Sequence, residues 1–171
     1  MGGFQYLFHM FFDTHVHFDN FVEDGSLDVV LERARLAKVW KMLSVGGSPQ
    51  ANALSLKLAK QFPGQIVGSV GYDRDLASGE NDLAALKELA KKPECVAIGE
   101  TGLDYFYEPG KAEAQKNLFF QCLEIAVEAG KPVIVHTRDA DEDTLGMLTD
   151  FSRAWKGDPA RLGVLHCFTR D

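Results

Sequence analysis

The sequence contains no long basic segment, no glycine-rich phosphate-binding loop and no apolar run of membrane-spanning length. Its 18 lysine and arginine residues are outnumbered by 25 acidic residues, which gives a formal net charge of −7. This balance argues against a protein that binds nucleic acid by following the phosphate backbone electrostatically. Neither GxGxxG nor GxxxxGKS/T occurs, which excludes nucleotide binding through either loop. A phosphate-ester substrate is still compatible with the charge, because bound metal ions can supply the positive charge that the chain lacks.

Cysteine is also scarce, and the three residues have no CxxC spacing: Cys95, Cys122 and Cys167. An odd number without a metal-binding pattern indicates reduced thiols, so we expect a cytoplasmic protein rather than a disulfide-linked one. The apolar stretch 2–12 has neither a basic segment nor a cleavage site, so we expect no signal peptide and no membrane span. Met10 is an alternative start to Met1.

Four apolar runs in the sequence each lead to a histidine or a glutamate. The runs are Met10–Phe12, Val96–Ile98, Pro132–Val135 and Gly163–Leu165. They lead to His15 and His17, to Glu100, to His136 and to His166, respectively. Short apolar runs of this kind are typical of strands buried in a parallel sheet. The repetition predicts that these five side chains meet at the carboxyl ends of the strands.

The first of these groups is an H-x-H pair. Side chains alternate along a strand with a period of two, so His15 and His17 point the same way and can face one metal ion. H-x-H alone is a weak motif, and Glu100 read alone is slightly better explained as a capping or ion-paired residue than as a ligand. Asp13 and Asp19 flank the pair, either as groups that orient the imidazoles or as turn residues.

Strand and helix patterns alternate along the whole chain. Predicted strands cover 10–17, 38–46, 66–72, the region after 95, 132–136 and 162–168, and predicted helices cover 27–37, 50–61, 81–92, 112–129 and 142–155. Alternating units build a parallel sheet that is doubly wound or closed into a barrel. Polar residues at several strand ends favour an α/β fold of the TIM-like (β/α)₈ barrel type. We expect a single domain over residues 1–171 with about six of the eight units present.

In this order, the segments DTHVH, GETGLDY, KPVIVHTRDA and GVLHCF resemble the TatD family of metal-dependent deoxyribonucleases. The resemblance extends from about Phe11 to Phe168. It implies a TIM-like barrel holding one or two divalent metal cations (Mg, Mn or Zn) and a hydrolase acting on DNA, often as a 3′ exonuclease. It also implies the ligands: His15 and His17 for the first metal, Glu100 bridging, and His136 and His166 for the second.

The sequence departs from the family pattern in three places. The family's last metal ligand is an aspartate in a Thr-Asp-Ser-Pro context, which this sequence does not contain, so we expect it to be incomplete at its C-terminus. Tyr72, Asp73 and Arg74 stand where the family has His-Pro-His, and we expect residues 73–75 to form a solvated, ion-paired loop. Arg170 replaces a glycine.

These patterns assign catalytic roles to Glu100 and His136, in a site whose metal ions activate a water for hydrolysis. Arg138 is predicted to contact a substrate phosphate, although an ion pair with Asp139 or Asp141 explains it equally well. The leading hypothesis is cleavage of DNA phosphodiester bonds. Hydrolysis of amide or lactone bonds and an inactive fragment are the alternatives. We expect neither a membrane association nor an obligate protein partner.

Overall fold

Strands and helices alternate through the whole of residues 10–166, which are the residues described by the computed structural model. Cys167, Phe168 and Arg170 lie outside the described residues, as does most of the apolar stretch 2–12. The strands are β1 (Phe11–Val16), β2 (Val39–Ser44), β3 (Ile66–Val70), β4 (Cys95–Asp104), β5 (Val133–Arg138) and β6 (Gly163–His166). The helices are α1 (Asp19–Glu23), α2 (Leu27–Leu36), α3 (Pro49–Gln61), α4 (Leu83–Ala90), α5 (Ala112–Ala129) and α6 (Asp141–Ala154).

The six strands form one parallel sheet in which spatial order follows chain order, β1-β2-β3-β4-β5-β6. A doubly wound sheet reverses its strand order at a switch point, whereas a TIM-type barrel adds each strand beside the previous one. The ring of His15 on β1 stacks on that of His166 on β6, with centroids 3.5 Å apart. The sheet therefore curves until its two edges approach each other, which gives a nearly closed TIM-type barrel of six strands.

Helices cover the outside of the sheet, and the apolar residues between the two layers form the core. The largest cluster lies under α4, α5 and α6, where Ile98, Leu103 and Phe119 are fully buried. A second cluster around Phe18 and Met42 lies under the first three helices. The two edge strands differ from this pattern, since large apolar side chains on them are exposed. These are Phe11, Phe12, Val164 and Leu165.

Strand β4 is longer than the sequence predicts. The sequence pattern predicts that the apolar run ends at Gly99 and that Thr101-Gly102 forms a turn, but the strand continues to Asp104. Gly99 and Gly102 have φ values of 147° and 138°, which favour glycine. A Cβ atom on either residue would also collide with the β5 backbone, at Ile134 and His136. The glycines thus bring two strands close together rather than turning the chain.

A buried amide fixes the ends of β2 and β3 to each other. Asn52, on α3, accepts hydrogen bonds from the backbone amides of Gly47 (3.1 Å) and Gly71 (3.0 Å) and donates one to the Gly71 carbonyl (2.9 Å). Buried backbone groups need such partners where a strand ladder ends. These contacts hold the segments that lead into the carboxyl-terminal face of the sheet.

Within the described residues, no helix has the length and apolar character that crossing a lipid bilayer requires.

Candidate metal centre

The carboxylate of Glu100 lies at the centre of a cluster of histidines. Glu100 is only 5% exposed, and the two oxygens of its carboxylate face different neighbours. Oε2 lies 3.3 Å from His15 Nε2 and 3.7 Å from His17 Nε2. Oε1 lies 3.4 Å from His136 Nδ1. One side chain from the middle of the sheet is therefore shared between imidazoles of β1 and β5.

The two histidines at the end of β1 form the first half of the cluster. Their Nε2 atoms are 3.1 Å apart, and together with a Glu100 oxygen they lie within 4.8 Å of one another. His15 Nδ1 is buried without a hydrogen-bond partner among the described residues, and the His17 side chain is 55% exposed. Two imidazole nitrogens and a carboxylate oxygen around one point match the ligands of a divalent cation such as Zn²⁺ or Mn²⁺.

The second half of the cluster is the ring of His136, which spans two carboxylates on β4. Its Nδ1 faces Glu100, and its Nε2 lies 3.0 Å from Asp104 Oδ2. Asp104 is 1% exposed. Histidines that bind metals commonly use one ring nitrogen for the metal and the other for a carboxylate that fixes the ring. His136 has this arrangement, with Nδ1 on the side of the shared glutamate.

Asp104 is the main residue that we did not predict from the sequence. Its Oδ1 accepts hydrogen bonds from the backbone amides of Phe106 (3.0 Å) and Tyr107 (3.1 Å). Its own backbone is held by Gln115 of α5, which accepts from the Asp104 amide at 2.7 Å and donates to the Asp104 carbonyl at 2.9 Å. A signal was present, because positions 100 and 104 share a face of any strand that continues past Gly99.

His166 completes the set of strand-end histidines. It pairs with His136 in the β5–β6 register, and its ring is nearly parallel to that of His15, with an angle of 9° between the planes. Burial, together with the neighbouring His15, lowers the pKa of His166. The side chains of all five predicted metal ligands therefore lie in one region, although His166 contacts the β1 side rather than the Glu100 carboxylate.

Arg74 is the second residue whose place differs from our expectation. Residues 73–75 were predicted to be a solvated loop, but the Arg74 side chain is only 18% exposed. Its Nη1 donates to both carboxylate oxygens of Asp73, at 2.6 and 2.7 Å, and lies 3.7 Å from Glu100 Oε1. Its Nε lies 3.8 Å from Asp104 Oδ2. The short 3₁₀ turn Arg74–Leu76 thus points a guanidinium into the cluster, since Asp73 caps it.

Charge interactions in the cluster favour the ionised carboxylates. Burial by itself would raise the pKa of Glu100, but contacts with His136 and His15 outweigh it and hold that pKa far below the usual range. Burial likewise acts to raise the pKa of Asp104, and the Tyr107 amide and His136 lower it overall. The contact with Glu100 raises the pKa of His136 against the effect of burial. The cluster therefore presents negative oxygens to a cation.

Arg138 lies beside this cluster rather than within it. Its guanidinium carbon is 3.8 Å from the centroid of the Phe106 ring and 4.7 Å from that of Tyr107. The aromatic group Tyr105–Tyr107 in the sequence predicts rings packed over the loop above the strand ends, but the Phe106 and Tyr107 side chains are largely exposed, at 53% and 67%. The predicted contact between Arg138 and a phosphate stays a prediction. The structure adds an aromatic neighbourhood that the sequence pattern did not indicate.

The sequence profile of the family described as "TatD related DNase" matches residues 12–171. This chain belongs to that family. It is 34% identical over 162 residues to the "Uncharacterized metal-dependent hydrolase YabD" of Bacillus subtilis, covering 94% of this chain and 61% of the relative. It is also 34% identical over 160 residues to the "3'-5' ssDNA/RNA exonuclease TatD" of Musicola paradisiaca, covering 92% of this chain and 59% of that protein.

Solved structures of the family share the fold. The crystal structure of YJJV, a TatD homologue from Escherichia coli, superposes with a TM-score of 0.81 at 28% identity, covering 94% of this chain and 61% of that chain. A TatD family hydrolase from Entamoeba histolytica superposes with a TM-score of 0.79 at 21% identity, covering 94% of this chain and 58% of that chain, and supports the fold alone. The present chain spans about three fifths of the length of the relatives that it matches.

Proposed function

We propose that this chain binds a divalent metal cation at His15, His17 and Glu100 and hydrolyses phosphodiester bonds of nucleic acid. The observation that carries the proposal is the convergence of three ligand atoms within 4.8 Å of one another, two of them at the carboxyl end of β1 and one on β4 beyond Gly99. Catalytic sites of TIM-type barrels occupy this face. The name of the Musicola relative, a 3′-5′ ssDNA/RNA exonuclease, supports DNA as a substrate and attack from a 3′ end.

In this proposal, the role of each residue follows from its position in the cluster. His15 and His17 hold the cation, Glu100 binds it with Oε2, and His136 and His166 are further ligands or contacts to the reacting phosphate. A bound divalent cation supplies a water of lowered pKa and neutralises charge on the phosphoryl oxygens. Glu100 and His136 act as the catalytic pair, since Glu100 Oε1 lies 3.4 Å from His136 Nδ1. Asp104 keeps the His136 ring in a fixed orientation.

The aromatic surface beside the site supports nucleic acid over an amide or lactone substrate. Phe106 and Tyr107 are largely exposed and lie next to the Arg138 guanidinium, and exposed aromatic rings with a nearby guanidinium suit the bases of a single strand. In this proposal, Arg138 contacts a phosphate of the substrate, and its contact with the Phe106 ring at 3.8 Å offers a structural role as the alternative. Assays with bis-p-nitrophenyl phosphate and single-stranded DNA, beside a panel of amides and lactones, separate the two substrate classes.

We further propose a cytoplasmic location. Cys95 and Cys122 are both free and buried, which fits a reducing compartment.

Metal content and hydrolysis in Glu100→Gln test the proposed function. We expect the wild type to retain divalent metal after dialysis and to cleave bis-p-nitrophenyl phosphate. Because Gln lacks the charge that both halves of the cluster share, turnover should fall by about 10³-fold. Elemental analysis and initial rates measure the two effects. Glu124→Gln, at an exposed position of α5, is the matched control and should behave as the wild type. Normal metal-dependent turnover in Glu100→Gln would show that the bridging role is wrong.

A further inference from the structure

The two oxygens of Glu100 face unequal surroundings. On the Oε2 side, two imidazole nitrogens complete a group of three ligand atoms. On the Oε1 side, the nearest imidazole nitrogen is His136 Nδ1, and the other nitrogen of that ring already faces Asp104. Within residues 10–166, the group around Oε2 is the one place where three such donor atoms converge.

The Oε1 side has a cation of its own, the guanidinium of Arg74. Its Nη1 is 3.7 Å from Oε1, the same oxygen that His136 contacts, and its Nε is 3.8 Å from Asp104 Oδ2. The guanidinium does not lose its proton in proteins. Although Asp73 pairs with the guanidinium, the guanidinium is the group that faces Oε1. A divalent ion between Glu100 Oε1 and His136 would therefore lie beside a permanent positive charge, and the repulsion would weaken its binding.

Arg74 is held in this place rather than being free to swing away. The Asp73 carboxylate accepts hydrogen bonds from the Arg74 backbone amide and from its Nη1. A β-bridge between Tyr72 and Gly47 attaches this part of the chain to the segment that follows β2. Its Nε is nevertheless buried without a hydrogen-bond partner in the described part of the chain. A buried N–H donor is rarely left unpaired, and the planar fork of arginine matches phosphate oxygens. The carboxylates of Asp75 and Asp104 each lie 3.8 Å from this Nε, beyond hydrogen-bond distance, so its N–H is still available to a phosphate oxygen.

We propose that Arg74 takes the electrostatic place of a second metal ion in this chain. The chain then binds one divalent ion, at His15, His17 and Glu100, and the guanidinium neutralises the phosphoryl group of the substrate from the Oε1 side. This inference rests on the metal site and the phosphodiester hydrolysis proposed above, and it deepens them by fixing the number of metal ions and the second positive group. Lysine would keep the charge without the fork geometry.

Titration with Mn²⁺ tests the number of metal ions independently of catalysis. By calorimetry and elemental analysis, we expect one equivalent in the wild type and in Arg74→Lys. Arg74→Gln should gain a second equivalent, because the neighbouring charge is gone. Arg153→Gln, at an exposed arginine that pairs with Asp150, is the matched control and should stay at one equivalent. Two equivalents in the wild type, or one unchanged equivalent in a folded Arg74→Gln, would overturn the inference.

Kinetics add a second readout on the same variants. With bis-p-nitrophenyl phosphate at low Mn²⁺, kcat of Arg74→Gln should fall by about 100-fold and recover in part as Mn²⁺ is raised to the range where the second ion binds. Unchanged kcat would contradict the phosphoryl contact.

Electron paramagnetic resonance of wild-type protein in excess Mn²⁺ does not depend on any variant folding. We expect the spectrum of isolated ions, and the spectrum of a spin-coupled pair would overturn the inference while leaving the proposed hydrolase intact. A wild type that binds no Mn²⁺ would overturn the proposed function and this inference together.

Discussion

The two halves of the cluster around Glu100 are built in different ways. On the β4–β5 half, His136 is held between two carboxylates, Asp104 is held by Gln115, and strand contact depends on glycines. On the β1 half, His17 is half exposed and a ring nitrogen of His15 lacks a hydrogen-bond partner among the described residues. The difference teaches that hydrogen bonds within the protein already fix the His136 ring, whereas the β1 half is suited to completion by a bound cation.

The largest effect should come from a methyl group between the two central strands. Gly102→Ala places a Cβ against the backbone of His136 at a φ of 138°, so we expect a loss of at least about 3 kcal/mol in the free energy of unfolding, together with the site. Gly146→Ala is the control, because nothing lies within 4 Å of its Cβ on α6, and alanine should stabilise that helix by up to about 1 kcal/mol. Urea denaturation measures both. Equal stability of the two variants would show that the close contact between β4 and β5 does not fix this half of the site.

A smaller effect should follow from Asp104→Asn, which keeps the shape but weakens the hold on the His136 ring. Metal-dependent turnover should fall by about 10–100-fold, and Mn²⁺ affinity should change much less, because the ion is held by the β1 half. Asp13→Asn is the counterpart on β1, where Asp13 accepts a hydrogen bond from the His15 amide (3.1 Å). It should change turnover by less than about twofold, since that bond is exposed. Equal turnover in Asp104→Asn and Asp13→Asn would mean that the two halves of the cluster do not differ in this respect.

The smallest effect concerns the rings of Phe106 and Tyr107, whose backbone amides donate hydrogen bonds to Asp104. Phe106→Ala should raise KM for a single-stranded oligonucleotide by about tenfold, because one stacked base is lost, and should leave KM for bis-p-nitrophenyl phosphate unchanged. Phe120→Ala is a close control, since Phe120 on α5 has the same exposed fraction of 53%. Steady-state kinetics with both substrates measure the effect. Equal losses on the two substrates would indicate that Phe106 supports the fold rather than a base.

Much of this molecule could be read from local patterns. The alternation of strands and helices follows from periods of 2 and 3.6 residues, and helix α5 has the bounds that its apolar stripe predicts. The histidines and Glu100 could be found because each lies at the end of an apolar run, and parallel strands bring such ends to one face. These features depend on residues within one βα unit.

The remaining features depend on contacts between units that are distant in the chain. Asp104 was missed because Gly99 and Gly102 are typical of turns, and only their tight packing against β5 makes them part of a strand. Arg74 was read as solvated because its sequence neighbours are charged, yet its partners Glu100 and Asp104 lie on another strand. The sequence by itself determined which side chains stand at the strand ends. The register and curvature of the sheet decided which of them share an oxygen, because those distances are set by packing across the whole barrel.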